Sequence, residues 1–333
     1  MIALAYIWFS LPASEFMIIK CSLSFLLLLT VQHGFLLGQP IAATVHRVVF
    51  LGNSITYAGC YVEDFEAYYV SRHPGDSVEF IDLGLPSETV SGLSEEGHAD
   101  GRFPRPDLHE RLHRILEKIR PDLVFACYGM NDGIYLPFDS GRFQRYKDGV
   151  QWLHDTLVAA TGARVIFLTP PVYDEVRGGK RGYAAVLDTY ATWLLGRRRA
   201  VRWEVADIHF PMKRYLDAHR RVDADFGIDG FALTTDGVHP GEVGHWLMAR
   251  QLLLYVGEKD VMRYPGIREA MAGVPNGDTI LRLVKERQAF MKDAWLTWTG
   301  HRRPGMPVGL PIEEARLKAE GVGRQLRGLL RAD

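Results

Sequence analysis

The chain has 333 residues, enough for one large domain or two small ones, and its 47% apolar and 24% charged residues are those of an ordinary globular protein. A formal net charge of -1 gives no electrostatic reason to expect nucleic acid or an anionic surface as partner. Three cysteines, Cys21, Cys60 and Cys127, make neither a disulfide framework nor a zinc pattern.

In chain order, the first feature is a targeting segment. Met17-Ile18-Ile19-Lys20 is a short positive start, Ser22 to Thr30 a leucine-rich core, and Gln39-Pro40-Ile41-Ala42-Ala43 a stretch with small residues for cleavage. This is the layout of a secretory signal peptide over residues 1–43, with translation expected to start at Met17. The apolar run breaks at Gln32-His33-Gly34, short of the roughly 20 residues a spanning helix needs. The mature chain is therefore expected to be exported, periplasmic or extracellular, without a stable membrane span.

From residue 44 strand-like and helix-like segments alternate. His46–Leu51, Ser77–Leu83, Asp122–Tyr128, Arg164–Thr169 and Val201–Ala206 read as strands. Tyr61–Arg72, Asp107–Ile119, Gly141–Ala160, Tyr183–Arg199 and Glu242–Val256 read as helices. Continuous apolar strands alternating with helices predict a parallel five-stranded sheet in a flavodoxin-like three-layer α/β/α sandwich. Residues 44–257 form the expected main domain. The tail over residues 258–333 reads as a helical extension, with helices at Thr279–Thr297 and Glu313–Leu330 around an aromatic, basic loop. Trp295 and Trp298 there are expected to pack on the main domain rather than to form a lid.

Ligands in such folds bind beyond the carboxyl ends of the strands, and four groups of special residues fall there. Gly52-Asn53-Ser54-Ile55 follows the first strand, Gly84-Leu85-Pro86-Ser87 the second, and Gly129-Met130-Asn131-Asp132 the third; Asp236-Gly237-Val238-His239 precedes the last helix. Each has a plain structural reading: a helix cap, an ordinary turn, a locally bonded loop, a solvated helix entry. The functional reading takes them together. An Asp three residues before a His can hold the imidazole by Nδ1–H, leaving Nε2 to face a serine.

These blocks resemble the SGNH hydrolases, the superfamily of the GDSL esterases and lipases. Gly52-Asn53-Ser54-Ile55 matches the first block, with Asn for the commoner Asp. Gly129-Met130-Asn131-Asp132 matches the third, Gly-x-Asn-Asp, and Asp236-Gly237-Val238-His239 the last, Asp-x-x-His. The second block departs: Ser87 aligns where the family has glycine, which raises the question of whether the backbone there needs positive φ. The resemblance implies a carboxylic ester hydrolase with Ser54 as nucleophile, His239 as base and Asp236 orienting it. The N–H groups of Ser54 and Ser87 and the Asn131 amide would form the oxyanion hole. Asn53, Gly129 and Asp132 are assigned to substrate binding. No cofactor or metal is expected; His209, His219 and His245 lack zinc-site spacing with His239. The substrate expected is a small ester or an acylated carbohydrate. A lipase or thioesterase of the same superfamily, or a non-catalytic glycan-binding module, stands as the alternative.

Overall fold

The computed structural model describes residues 38–227 and 230–331. The expected leader, up to residue 37, lies outside the described residues. Five strands form one sheet: β1 (Arg47–Gly52), β2 (Glu79–Gly84), β3 (Leu123–Cys127), β4 (Arg164–Leu168) and β5 (Glu204–Ala206). Their order is β2-β1-β3-β4-β5 and every pairing is parallel. β3 is apolar and fully buried along its length, and β1 is so after Arg47, as central strands covered on both faces must be.

Helices fill the connections around this sheet. Those up to the last strand are α1 (Ser54–Ala58), α2 (Cys60–Arg72), α3 (Leu108–Ile119), α4 (Ser140–Thr161), α5 (Glu175–Gly178) and α6 (Tyr183–Ala200); α7 (His209–Asp225) and α8 (Glu242–Tyr255) follow it. The path from β1 outward to β2 and back across to β3 requires right-handed crossovers on opposite faces. So α2, which packs on α8, covers one face, and α3, beside α4, covers the other. Helix α3 shows the local cause. Leu108, Leu112, Ile115, Leu116 and Ile119 recur at helical spacing and are buried, and Asp107 caps the start by accepting from the His109 N–H at 3.0 Å.

The predicted strands and helices are present, with ends moved by a few residues. Only Glu204–Ala206 of the fifth predicted strand is extended, because α6 runs on to Ala200 and Arg202 turns through a φ of 58°. Helix α7 has no counterpart among the predicted elements. Beyond its first residue it buries only Met212 and Leu216, too few to show a period.

Beyond α8 lie α9 (Ile267–Ala272), α10 (Gly277–Thr299) and α11 (Ile312–Leu330). α10 packs against α2, β2 and α3, and α11 packs on α10. Trp295 is buried beneath them, and Trp298 lies against it with the Arg316 guanidinium over both rings. Before β1, Ile41 is buried and the Pro40 carbonyl accepts from Arg164 at 3.1 Å.

Register sets up the carboxyl edge of the sheet. Gly52 of β1 is level with Gly84 of β2 and Cys127 of β3. Three loops therefore leave the sheet side by side. A Cβ on Gly84 would collide with the backbone of Thr56 and Tyr57, so only glycine lets α1 lie across the strand ends. Cys60 and Cys127 are both free thiols.

Candidate active site

Ser54 opens α1. The cap of that helix is Asn53, whose Oδ1 accepts from the Ile55 N–H at 3.0 Å. The plain structural reading of Asn53-Ser54 is thus met by Asn53 alone, and the serine hydroxyl is left for another partner. That partner is His239, whose Nε2 stands 2.8 Å from Ser54 Oγ.

The imidazole is aimed by its own loop. His239 Nδ1 lies 2.6 Å from Asp236 Oδ2, while the N–H groups of Val238 and His239 donate to Asp236 Oδ1 at 2.9 and 2.8 Å. Gly237 makes the bend with a φ of 87°. Because a carboxylate only accepts, Nδ1 carries the proton and Nε2 is the acceptor facing the serine. Partial burial disfavours charge on Asp236, but the bonds from the His239 N–H, the His239 ring and the Val238 N–H outweigh it. They hold the carboxyl below its ordinary value. Both side chains remain about half exposed, so the site is open to solvent.

The loop after β2 answers the question about Ser87. The Glu88 N–H closes a turn onto the Leu85 carbonyl at 3.1 Å, with Pro86 and Ser87 in the central positions. Ser87 has a φ of 68°, in the left-handed region. Proline first and positive φ second is the type II pattern, which ordinarily takes glycine in the second place. Ser87 is therefore strained at a position whose backbone suits glycine, and its N–H has no protein acceptor among the described residues.

Asn131 is buried after β3. Its Nδ2 donates to the Glu88 carbonyl at 3.1 Å, and its Oδ1 accepts from the Tyr135 hydroxyl at 2.9 Å. A carbonyl cannot donate, so Glu88 fixes which end of the amide is nitrogen. The second Nδ2 proton has no acceptor among the described residues.

Three residues assigned to substrate binding have different roles. Asp132 is fully buried, and its carboxylate accepts from the N–H groups of Val90, Ser91 and Gly129. It ties the second and third loops together and cannot reach a substrate. Gly129 sits at a φ of 118° with Pro170 against it, so it makes the turn. Asn53 is buried as the cap of α1.

Other residues that shape the site belong to none of the four motifs. Glu88 and Arg111 form a buried two-point ion pair at 2.6 and 2.7 Å, and Tyr128 donates to the same carboxylate at 2.7 Å. A charged residue inside the apolar face of α3 is the available clue. Of the histidines considered as ligands, His209 bonds Asp188 and the Pro170 carbonyl, and His219 bonds the Tyr215 carbonyl. His245 is buried against Tyr61, and burial, with His239 nearby, pushes its protonation down to about 4. Among the described residues no three or more His, Cys, Asp or Glu side chains are grouped to hold a metal ion.

A parallel 2-1-3-4-5 sheet with a serine, an asparagine and a histidine gathered at its carboxyl edge defines an SGNH-type hydrolase. The chain belongs to the GDSL-like Lipase/Acylhydrolase family, whose model matches residues 50–247, and is accordingly a carboxylic ester hydrolase. Among solved structures it is similar to a gut microbial diltiazem-metabolizing enzyme, at 21% identity and a TM-score of 0.53 over 67% of this chain and 49% of that one. The chain thus spans about half the length of that protein. It is also similar to an acetylxylan esterase from Geobacillus stearothermophilus, at 19% identity and a TM-score of 0.46 over 67% of this chain and 96% of that one. A lipase/acylhydrolase from Enterococcus faecalis is 19% identical, with a TM-score of 0.44 over 66% and 96%. No curated protein matches the sequence.

Proposed function

We propose that the protein is an exported serine esterase that deacylates small esters, chiefly acetylated carbohydrates, through Ser54, His239 and Asp236. The observation that carries this reading is the continuous chain of hydrogen bonds from Ser54 Oγ through His239 to Asp236, at 2.8 and 2.6 Å. In it, Ser54 Oγ bonds to the ester carbonyl carbon as its proton passes to His239 Nε2. The oxyanion formed is met by the Ser54 and Ser87 N–H groups and the second Nδ2 proton of Asn131. The intermediate collapses by breaking the bond to the alcohol, which leaves with the proton from Nε2. A water then repeats the sequence on the acyl-serine, releasing the acid and restoring Ser54. The half-exposed His239 and Asp236 favour a polar, small-acyl ester over a long chain that needs a covered apolar cleft.

The main domain is proposed to run from the strand region through α8, with residues 258–333 as its extension. Because Ile41 is buried on that domain, the leader is proposed to be cut before Ile41 rather than after Ala43. N-terminal sequencing of the exported protein would read the cut directly, and a mature chain beginning at Thr44 would reject it.

The test of the function is hydrolysis of p-nitrophenyl acetate, longer acyl esters and acetylated xylo-oligosaccharides by the wild type and Ser54→Ala. Acetate release that falls with acyl length and disappears in the variant is the expected result. Activity rising with chain length would make it a lipase, and turnover surviving in Ser54→Ala would remove the nucleophile.

A further inference from the structure

The peptide unit between Pro86 and Ser87 has two ends with different neighbours. Its N–H is the proposed oxyanion donor. Its carbonyl accepts from Arg303 Nε at 2.8 Å. Arg303 lies in the loop between α10 and α11, outside the residues that the family model matches. We propose that Arg303 is a positioning residue that locks the Pro86–Ser87 peptide with its N–H toward the oxyanion, so that the extension completes the active site. The inference rests on the hydrolase reading above.

The physical argument starts from turn geometry. Type I and type II turns differ chiefly by a half-rotation of their central peptide, and with it the directions of that C=O and N–H exchange. Type II needs positive φ in the second central position, which glycine takes without strain and serine does not. With Ser87 there, the backbone alone favours the flipped form, whose N–H points away from the site. The turn is held at its ends by the Leu85 N–H on the Gly52 carbonyl, at 2.9 Å, and by the buried Glu88 side chain. Neither contact reaches the central peptide. Arg303 does, and a hydrogen bond from a charged donor is roughly twice as strong as a neutral one. The same bond draws electron density toward the carbonyl and leaves the N–H a better donor.

Arg303 is itself held. Its guanidinium lies over the Phe103 ring, with the carbon 5.3 Å from the centroid, and a second nitrogen donates to the Pro304 carbonyl at 3.0 Å. Its loop is pinned where the Gly309 N–H meets Thr297 Oγ1 at 2.9 Å and where Arg114 donates to the carbonyls of Thr299 and Gly300 at 3.0 and 2.7 Å. α10 also reaches α1, where Tyr57 donates to Asp293 at 2.9 Å.

The test is a cycle on the full chain: wild type, Arg303→Ala, Ser87→Gly and the double variant, each assayed on p-nitrophenyl acetate after circular dichroism confirms the fold. Arg303→Ala should lower kcat by about ten- to a hundredfold, less than the roughly 10²–10³ for removing an oxyanion donor outright because the N–H is misdirected for only part of the time, with KM within about twofold. Ser87→Gly keeps the backbone donor and serves as the second background, its own kcat being the reference for the double variant. In the Ser87→Gly background the turn keeps its form without help, so loss of Arg303 should cost less than about fivefold. Unchanged kcat in Arg303→Ala overturns the proposal, as does an equal loss in both backgrounds. The two readings separate cleanly, because an inactive Ser54→Ala beside an unaffected Arg303→Ala keeps the hydrolase and removes the lock.

Discussion

In the proposed mechanism Asn131 offers a proton to the oxyanion, which requires its amide to be held still, and the Tyr135 hydroxyl on Oδ1 is half of that hold. Replacing it by Phe removes one buried hydrogen bond, worth about 1 kcal/mol, and lets the amide turn. Tyr135→Phe should therefore lower kcat about five- to tenfold with little change in KM. A kcat equal to wild type would show that Glu88 alone holds the amide. Ser54→Ala should leave the melting temperature within about a degree, because Asn53 and not Ser54 caps α1 and a cap is worth about 1 kcal/mol. A drop of several degrees would mean that the hydroxyl has a structural role. The placing of Ser54, Asn131 and His239 at neighbouring loops is legible in the sequence, since each lies in a short local motif beside a strand end or helix start. Tyr135 reads only as an aromatic near a loop. Arg303 reads only as part of a basic loop in the tail, because its partner is 217 residues away and no spacing rule links them.

Among the elements, the strand and helix alternation is readable because buried parallel strands are continuous apolar runs and covering helices show a 3.6 period. Helix α7 lacks that period, and α1 is too short to have one. What the pattern cannot encode is the tie between elements made by a single ion pair. Arg111 on α3 reaches Glu88 and the Leu83 carbonyl, fixing the loop after β2 to the helix layer. Both side chains are fully buried, so removing one charge strands the other. Glu88→Gln should destabilise the protein by about 3–5 kcal/mol, whereas Glu88→Leu with Arg111→Met should cost much less. Urea unfolding of the wild type and the two variants measures both. Equal losses in the single and double variants would argue that packing, and not the stranded guanidinium, sets the cost.

For the molecule as a whole, pH acts on stability through the seam between β2 and the extension. Asp82 is buried there beside Glu63, Gln288 and Lys292, around a cavity of about 50 Å³. Burial pushes its carboxyl up to about 7, although the Gly84 N–H and Lys292 pull it down. An unfolded Asp titrates at about 3.9, so between there and about 7 the folded chain holds a proton that the unfolded chain has released. Stability is then full at the acid end and falls as pH rises through that window, by up to about 4 kcal/mol from this group. Asp64, also pushed up to about 7 by burial, adds in the same sense. Asp82→Asn should flatten the decline in melting temperature from about pH 5 to about pH 8 and raise the value at the upper end; an unaltered slope would assign the effect elsewhere. The loop that carries Arg303 has another consequence, seen on warming. It is an exposed connection, and such segments open at lower free energy than a buried sheet. On the proposed role of Arg303 the enzyme contains its own thermal fuse: on heating, the loop lets go of the turn, and kcat falls by the same roughly ten- to a hundredfold expected of Arg303→Ala while the sheet is still intact. The temperature of half-inactivation should lie below the melting temperature, activity should return at once on cooling, and Ser87→Gly should bring the two temperatures together.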